Sequence, residues 1–161
     1  MTPAEALAWF DGLAPVTVAD MTGRWRGEAV PTGHRLDPLL AAAGWWGKAF
    51  EGPEDVHPLL HGAEGRVAVN PALLPLSWGV HLPPALVRFA FPLIRPLIAT
   101  RRPRARLRMM GYRGVTSATM IYDAKPICDV FRRIDDATVL GCMDQRGADP
   151  FFFKLTRDGA D

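Results

Sequence analysis

The residues best placed to do chemistry in this 161-residue chain are one carboxylate, one lysine, one tyrosine and one histidine. The carboxylate is Asp129, in the run Ile127-Cys128-Asp129-Val130-Phe131-Arg132-Arg133-Ile134. Successive side chains of a strand point to opposite faces, so Ile127, Asp129, Phe131 and Arg133 share one face, with Cys128, Val130, Arg132 and Ile134 on the other. Neither face is purely apolar. Asp129, between Ile127 and Phe131, is the expected inward charge. A buried carboxylate is costly unless paired or hydrogen-bonded, and burial raises its pKa. It would therefore serve either as a general acid or base in a pocket or as the partner of an arginine such as Arg133 at a rim.

Lys48 lies in the aromatic run Trp45-Trp46-Gly47-Lys48-Ala49-Phe50, where the same period puts Trp46, Lys48 and Phe50 on one face. There it could anchor a carboxylate or carbonyl of an apolar ligand, or carry its ammonium out to solvent. His34 would complete a base pair with Asp129 if the two meet across the fold. Tyr122 could polarise a carbonyl. Trp25, Trp46, Phe131 and Met143 are the expected apolar lining, and Trp25 serves equally as a structural plug. Asp123 and Asp144 read as turn residues.

Other chemistries find little support. His57 and His61 are four apart, but Pro58 lies between them and no third ligand is conspicuous, so no metal site is expected. No phosphate loop, nucleophile elbow or paired-cysteine motif occurs, and no cofactor is expected. A net charge of +2 gives no field for nucleic acid. The arginines from 101 to 108 lack interleaved aromatics, which suits a strand edge or an anionic-lipid contact better than a nucleic-acid platform. Cys128 and Cys142 sit in apolar strand-like runs and the N-terminus lacks a basic start, so a reduced, cytoplasmic setting is expected.

The elements that must position these groups are mostly strands. The chain reads as a single domain over 1–161. Residues 1–20 hold a short helix, with Thr2, Pro3 and Glu5 as its start signals and Gly12 as its stop, then a linker. It would cover a barrel end or pack on the outer wall. Residues 21–70 carry strands around Trp25, Trp46 and Val67, with a short helix from Asp37 to Ala43 capped by Asp37. Residues 71–105, dense in proline, exclude a central strand and break any long helix, leaving one or two short apolar helices across the barrel. Residues 106–157 form a five-strand meander: 106–112, 115–122, 127–134, 138–144 and 151–156. About eight antiparallel strands suffice to close a barrel around a single-ligand interior.

Gly23-Arg24-Trp25-Arg26-Gly27 is a literal GXWXG motif. Together with the blocks 44–50, 122–132 and 141–144, it makes the chain resemble the bacterial GXWXG proteins, whose C-terminal half is a domain of unknown function. The resemblance spans nearly the whole chain. It implies a mainly β, closed or nearly closed calycin-like (lipocalin-like) antiparallel barrel, with a short N-terminal helix and a proline-rich helical insertion. Nitrobindins share a similar start and bind haem through a late histidine; here the last histidine is His81, so that ligation is not expected.

The expected function is binding of a small apolar molecule, a fatty acid or another hydrophobic acid or carbonyl compound, inside the barrel. The alternative is a cofactor-independent isomerase or lyase acting on a small hydrophobic carbonyl compound, with Asp129 moving the proton. Leu86, Phe89, Phe91, Leu93 and Ile94 form a large apolar load, which suggests a membrane-surface contact through 85–98 or a homodimer.

Overall fold

The computed structural model describes residues 1–75 and 81–159; the part of the proline-rich segment at 76–80 lies outside them. Ten strands are numbered in chain order: β1 (Ala14–Pro15), β2 (Gly23–Ala29), β3 (Trp45–Gly52), β4 (Asp55–His61), β5 (Val67–Ala68), β6 (Ala105–Tyr112), β7 (Val115–Tyr122), β8 (Ile127–Arg133), β9 (Thr138–Gln145) and β10 (Phe151–Arg157). Eight of them close an antiparallel ring, β2-β3-β4-β6-β7-β8-β9-β10 and back to β2. The five C-terminal strands fall where period-2 alternation and the turn residues put them.

The ring is uneven. Between β4 and β6 only Val56 and Ala105 pair in register, whereas β6 and β7 pair along their whole length. β4 is also the strand that the sequence reading omits. Pro58 lies within it and cannot donate to a ladder, which confines such a strand to an edge or a weak seam. The expected strand at Val67 is a two-residue addition to β4, outside the ring.

Among the described residues three α-helices decorate the barrel: α1 (Pro3–Asp11), α2 (Leu36–Ala42) and α3 (Pro84–Ile98). Helix α1 begins with the full capping box, Thr2 accepting from Glu5 N and the Glu5 carboxylate accepting from Thr2 N. It packs on the outer wall, where Ala6 and Phe10 join Val130, Leu140, Cys142 and Phe152 in a second core. Helix α2 starts one residue earlier than expected and is not capped by Asp37. That carboxylate instead accepts from Thr32 N and Gly33 N, closing the preceding turn.

Helix α3 corrects the expectation of broken short helices, because its 15 residues run through Pro92 and Pro96. Both prolines are exposed, so their rings displace nothing packed. Burial of Phe91 holds the helix down. Its C-terminal end is tied by Asn70 N donating to Ile98 O and Thr100 N donating to Ala68 O, each at 2.8 Å. Tertiary anchoring outweighs the two missing helix bonds. No helix among the described residues is long and apolar enough to cross a membrane.

The main core fills the barrel. Trp25, Phe50, Leu107, Met120, Phe131 and Leu155 pack there with little exposure.

Candidate functional site

One end of the barrel interior stays unfilled, leaving a cavity of about 100 Å³. Its walls come from the strands and from the two helices over that end: Leu36 and Leu40 of α2, and Phe91 of α3. The walls are mainly apolar and aromatic. Lys48, Asp129, Tyr122 and His61 are the titratable groups that line it.

Asp129 sits where strand alternation puts it. Ile127 and Asp129 line the cavity, and Phe131 lies deeper in the core. The arginine partner is replaced. Arg133 pairs with Asp20 at 2.9 Å on the outside, while Asp129 Oδ2 lies 2.9 Å from Lys48 Nζ. Both side chains of this inner pair are almost fully buried, at 3% and 2% exposure, which makes it a dry ion pair rather than a rim contact. Lys48 Nζ also donates to Pro58 O at 3.2 Å and to Tyr122 Oη at 3.4 Å. The ring of Phe153 lies 4.9 Å from the ammonium. The snorkelling alternative for Lys48 is therefore excluded. Burial raises the Asp129 carboxyl above its ordinary range, against the opposing pull of Lys48. Burial, reinforced by the Asp129 charge, also pushes the Tyr122 hydroxyl well above its ordinary value.

The second oxygen of Asp129, Oδ1, is buried and has no hydrogen-bond partner. The same is true of His61 Nε2 and Trp45 Nε1. His61 Nδ1 lies 3.1 Å from Ala43 O and donates to it, which leaves Nε2 as an acceptor. Burial lowers the His61 pKa to about 4, so the ring is neutral at pH 7. Three residues that line the cavity thus bear buried polar atoms without partners, two acceptors and one donor.

Simple alternation places Lys48 on the face of Phe50, and both are buried inside, but it assigns the wrong tryptophan to that face. The β3–β4 register shifts between Trp45 and Gly47 and again between Gly47 and Ala49. The bulge changes the parity of the strand, so Trp45, and not Trp46, shares the cavity with Lys48. Trp46 lies outside, with the Arg24 guanidinium 4.8 Å from its ring centre. Its assignment as lining is corrected on that ground. Gly47 is required at the bulge because a Cβ there would run into the carbonyl of Trp25 on the neighbouring strand.

The GXWXG segment acquires a second task. Trp25 is buried, donates Nε1–H to Met21 O at 2.9 Å and is covered by Arg157, away from the cavity. It is the plug, and its assignment as a ligand contact is corrected. Two residues on, the Trp45 indole occupies the space where a side chain of Gly27 would be. Gly141 likewise leaves room for the ring of Phe153. Two glycines therefore seat two aromatic walls of the cavity.

The remaining candidates divide. Tyr122 and Met143 line the cavity. Phe131 is fully buried 5.7 Å from the Phe50 ring and supports the wall from behind. His34 is not among the lining residues. Its Nδ1 accepts from Leu36 N at 3.1 Å and its ring rests on Phe151, so it shapes the start of α2 and makes no hydrogen bond to Asp129. Asp144 is exposed, and Asp123 pairs with Arg106 on the surface. His57 and His61 lie four residues apart on strand β4, where extended geometry separates them by roughly 13 Å. Trp45 and Phe153 are among the lining residues that sequence reasoning missed, and His61 enters that reasoning only as a metal candidate. The double aromatic Trp45-Trp46 beside Gly47 is the one signal that could have found a bulge.

Among curated proteins, no match to the chain is found. A solved structure, described as the crystal structure of a protein from Thermomonospora curvata, is 34% identical. The alignment covers 96% of this chain and 86% of that one, with a TM-score of 0.71. The GXWXG protein family matches residues 8–65, and a domain of unknown function, DUF4334, matches 103–157. The first match contains β2, β3 and β4 with Lys48 and the Gly27 seat; the second contains the five-strand meander with Asp129 and Tyr122. The chain belongs to the GXWXG protein family, and its cavity is built jointly by the GXWXG region and the domain of unknown function that follows it.

Proposed function

We propose that the cavity binds a small, largely apolar and electrically neutral molecule bearing a carbonyl or hydroxyl group. The observation that carries this reading is the set of unpartnered buried polar atoms on the cavity residues, Asp129 Oδ1, His61 Nε2 and Trp45 Nε1. Leaving such groups unsatisfied costs about 1–3 kcal/mol each, and a ligand supplying the matching atoms recovers that cost. A hydroxyl would donate to Asp129 or His61, and a carbonyl would accept from Trp45 or Lys48.

Charge and size narrow the class. Lys48 and Asp129 already neutralise each other, so an ionised acid would place a second carboxylate beside Asp129 in a dry site. A neutral carbonyl compound fits better than a fatty-acid anion. An apolar cavity of about 150 Å³ takes up benzene, whereas drug-sized ligands need about 300 Å³ or more. At about 100 Å³ this cavity suits a handful of heavy atoms. Native mass spectrometry of the protein purified from its own host tests the reading. A copurified small neutral mass, lost on activation and absent from the Asp129→Asn variant, is expected. No bound mass, together with no tryptophan-fluorescence response to a panel of small ketones and phenols, would sink it.

A second reading, proton transfer on such a carbonyl compound, is favoured by a specific observation. Asp129 is buried, lines the cavity and lies within hydrogen-bond reach of Lys48, which in turn reaches Tyr122. A carboxylate with a raised pKa beside an ammonium and a phenol can take a proton from carbon while a donor holds the carbonyl oxygen. Exchange of the α-protons of butanone in deuterium oxide, followed by proton NMR, separates the readings. Exchange above the buffer rate that Asp129→Asn abolishes is expected of a catalyst. Binding without exchange leaves a binding protein.

A further inference from the structure

Helix α3 turns its apolar side away from the barrel. Leu86, Phe89, Leu93 and Leu97 are 51%, 76%, 79% and 81% exposed, and their spacing lines them up along one side of the helix. Ile94 widens the stripe, while Phe91 on the reverse is buried against the cavity. This is the opposite of an ordinary surface helix, which hides its apolar stripe and shows its charges.

The charged residues in this stretch of the chain have a single sign. No acidic residue occurs between Glu64 and Asp123, a span that includes all of α3. Arg88 is exposed at the margin of the helix, and Arg101 and Arg102 are exposed just beyond its end. We propose that α3 is a docking surface for an anionic lipid bilayer, with Phe89, Leu93 and Leu97 entering the headgroup–acyl boundary and Arg88, Arg101 and Arg102 contacting lipid phosphates. The occupant follows from charge complementarity. A second copy of the chain, joined through a two-fold axis, would bring basic margins against one another with no carboxylate in the segment to offset them. An anionic surface supplies the missing sign at every point of the rim. The inference stands independently of the ligand reading, although the helix that meets the bilayer is also the one whose Phe91 walls the cavity.

Flotation of the full-length protein with vesicles tests it. With equal parts phosphatidylglycerol and phosphatidylcholine the protein is expected to float; with phosphatidylcholine alone it stays behind. Raising salt weakens partitioning, and each of Arg88→Gln, Arg101→Gln and Arg102→Gln lowers it roughly fivefold. Phe89→Asp combined with Leu93→Asp abolishes flotation, and circular dichroism of that variant shows an unchanged fold because both positions are exposed. Failure of the wild-type protein to float on the anionic vesicles overturns the proposal. So does a wild-type dimer in analytical ultracentrifugation that becomes monomeric in the double variant, since the stripe would then join two copies.

Discussion

Strand β8 buries two opposite charges three residues apart, and they meet different fates. Asp129 points into the barrel, faces Lys48 at 2.9 Å and borders a cavity. Arg132 points outward beneath α1, where Nη2 donates to Tyr112 O at 3.2 Å and the Phe10 ring lies 5.1 Å from the guanidinium carbon. Both residues are 1% exposed. Each also leaves polar atoms without partners: Oδ1 of Asp129, and Nε and Nη1 of Arg132. Burial and unmet hydrogen bonding are thus common to both sites. The difference is space. Beside Asp129 there is a cavity with further unpartnered groups on its walls, whereas Arg132 is packed among Phe10, Tyr112 and Cys142 with no lining role. A buried charge becomes a functional candidate when there is room beside it for something to react or bind.

The comparison is tested most severely by removing one partner at a time. Asp129→Ala leaves Lys48 buried and uncompensated and is expected to cost about 3–5 kcal/mol in urea denaturation. Lys48→Met with Asp129→Leu is expected to recover most of that. Single variants costing under about 1 kcal/mol would show that the pair is not dry, and the contrast with Arg132 would lose its basis. Next in size is Gly27→Ala. Its methyl group would meet the Trp45 ring and cost about 1–3 kcal/mol by overpacking, with ligand uptake lost as the wall shifts. Gly52→Ala, which meets no neighbouring atom, is the control and should stay near wild type.

The cavity's histidine provides a pH test. His61 is held near pKa 4 in the folded protein against an ordinary value of 6.5. The unfolded chain therefore binds the extra proton more readily, and stability present above pH 6.5 is lost as pH falls towards 4. Between pH 7 and pH 5 the loss is roughly 2 kcal/mol, and His61→Gln should flatten that part of the urea-midpoint profile. The smallest effect belongs to Arg132→Met. It removes unpartnered donors while keeping the aliphatic packing, so the expected change is within about 1 kcal/mol, with ligand uptake unaltered. Lost uptake in that variant would dissolve the distinction between the two sides of β8.

Much of the scaffold was legible because its signals are local. The Thr2–Glu5 capping box and the alternation in 106–157 need only neighbouring residues, and both are found where the pattern puts them. The family match was equally readable from Gly23-Arg24-Trp25-Arg26-Gly27. Helix α3 was not, since two internal prolines argue against it and only tertiary anchoring, through buried Phe91 and the backbone bonds at its C-terminal end, outweighs them. Strand β4 was hidden by Pro58, which a weak seam tolerates and a full ladder would not.

The candidate site divides along the same line. The inward direction of Asp129 followed from strand periodicity alone, because side-chain direction in a regular strand is set by parity. Its partner did not. Arg132 is nearer in sequence but has the opposite parity, Arg133 lies four residues along the strand and pairs with Asp20, and Lys48 arrives from a strand in the other half of the chain. The bulge at Gly47 then decides which tryptophan faces the cavity, and it forms because Gly47 must pass close to the Trp25 carbonyl. His61 joins through the turn beyond α2, where Ala43 O fixes its tautomer. The sequence by itself determined which strands exist and which face of β8 is buried, since those depend on spacing between neighbours. The ion pair, the orphaned acceptors and the cavity depend on distances between strands far apart in the chain, and ring closure alone brings those strands together.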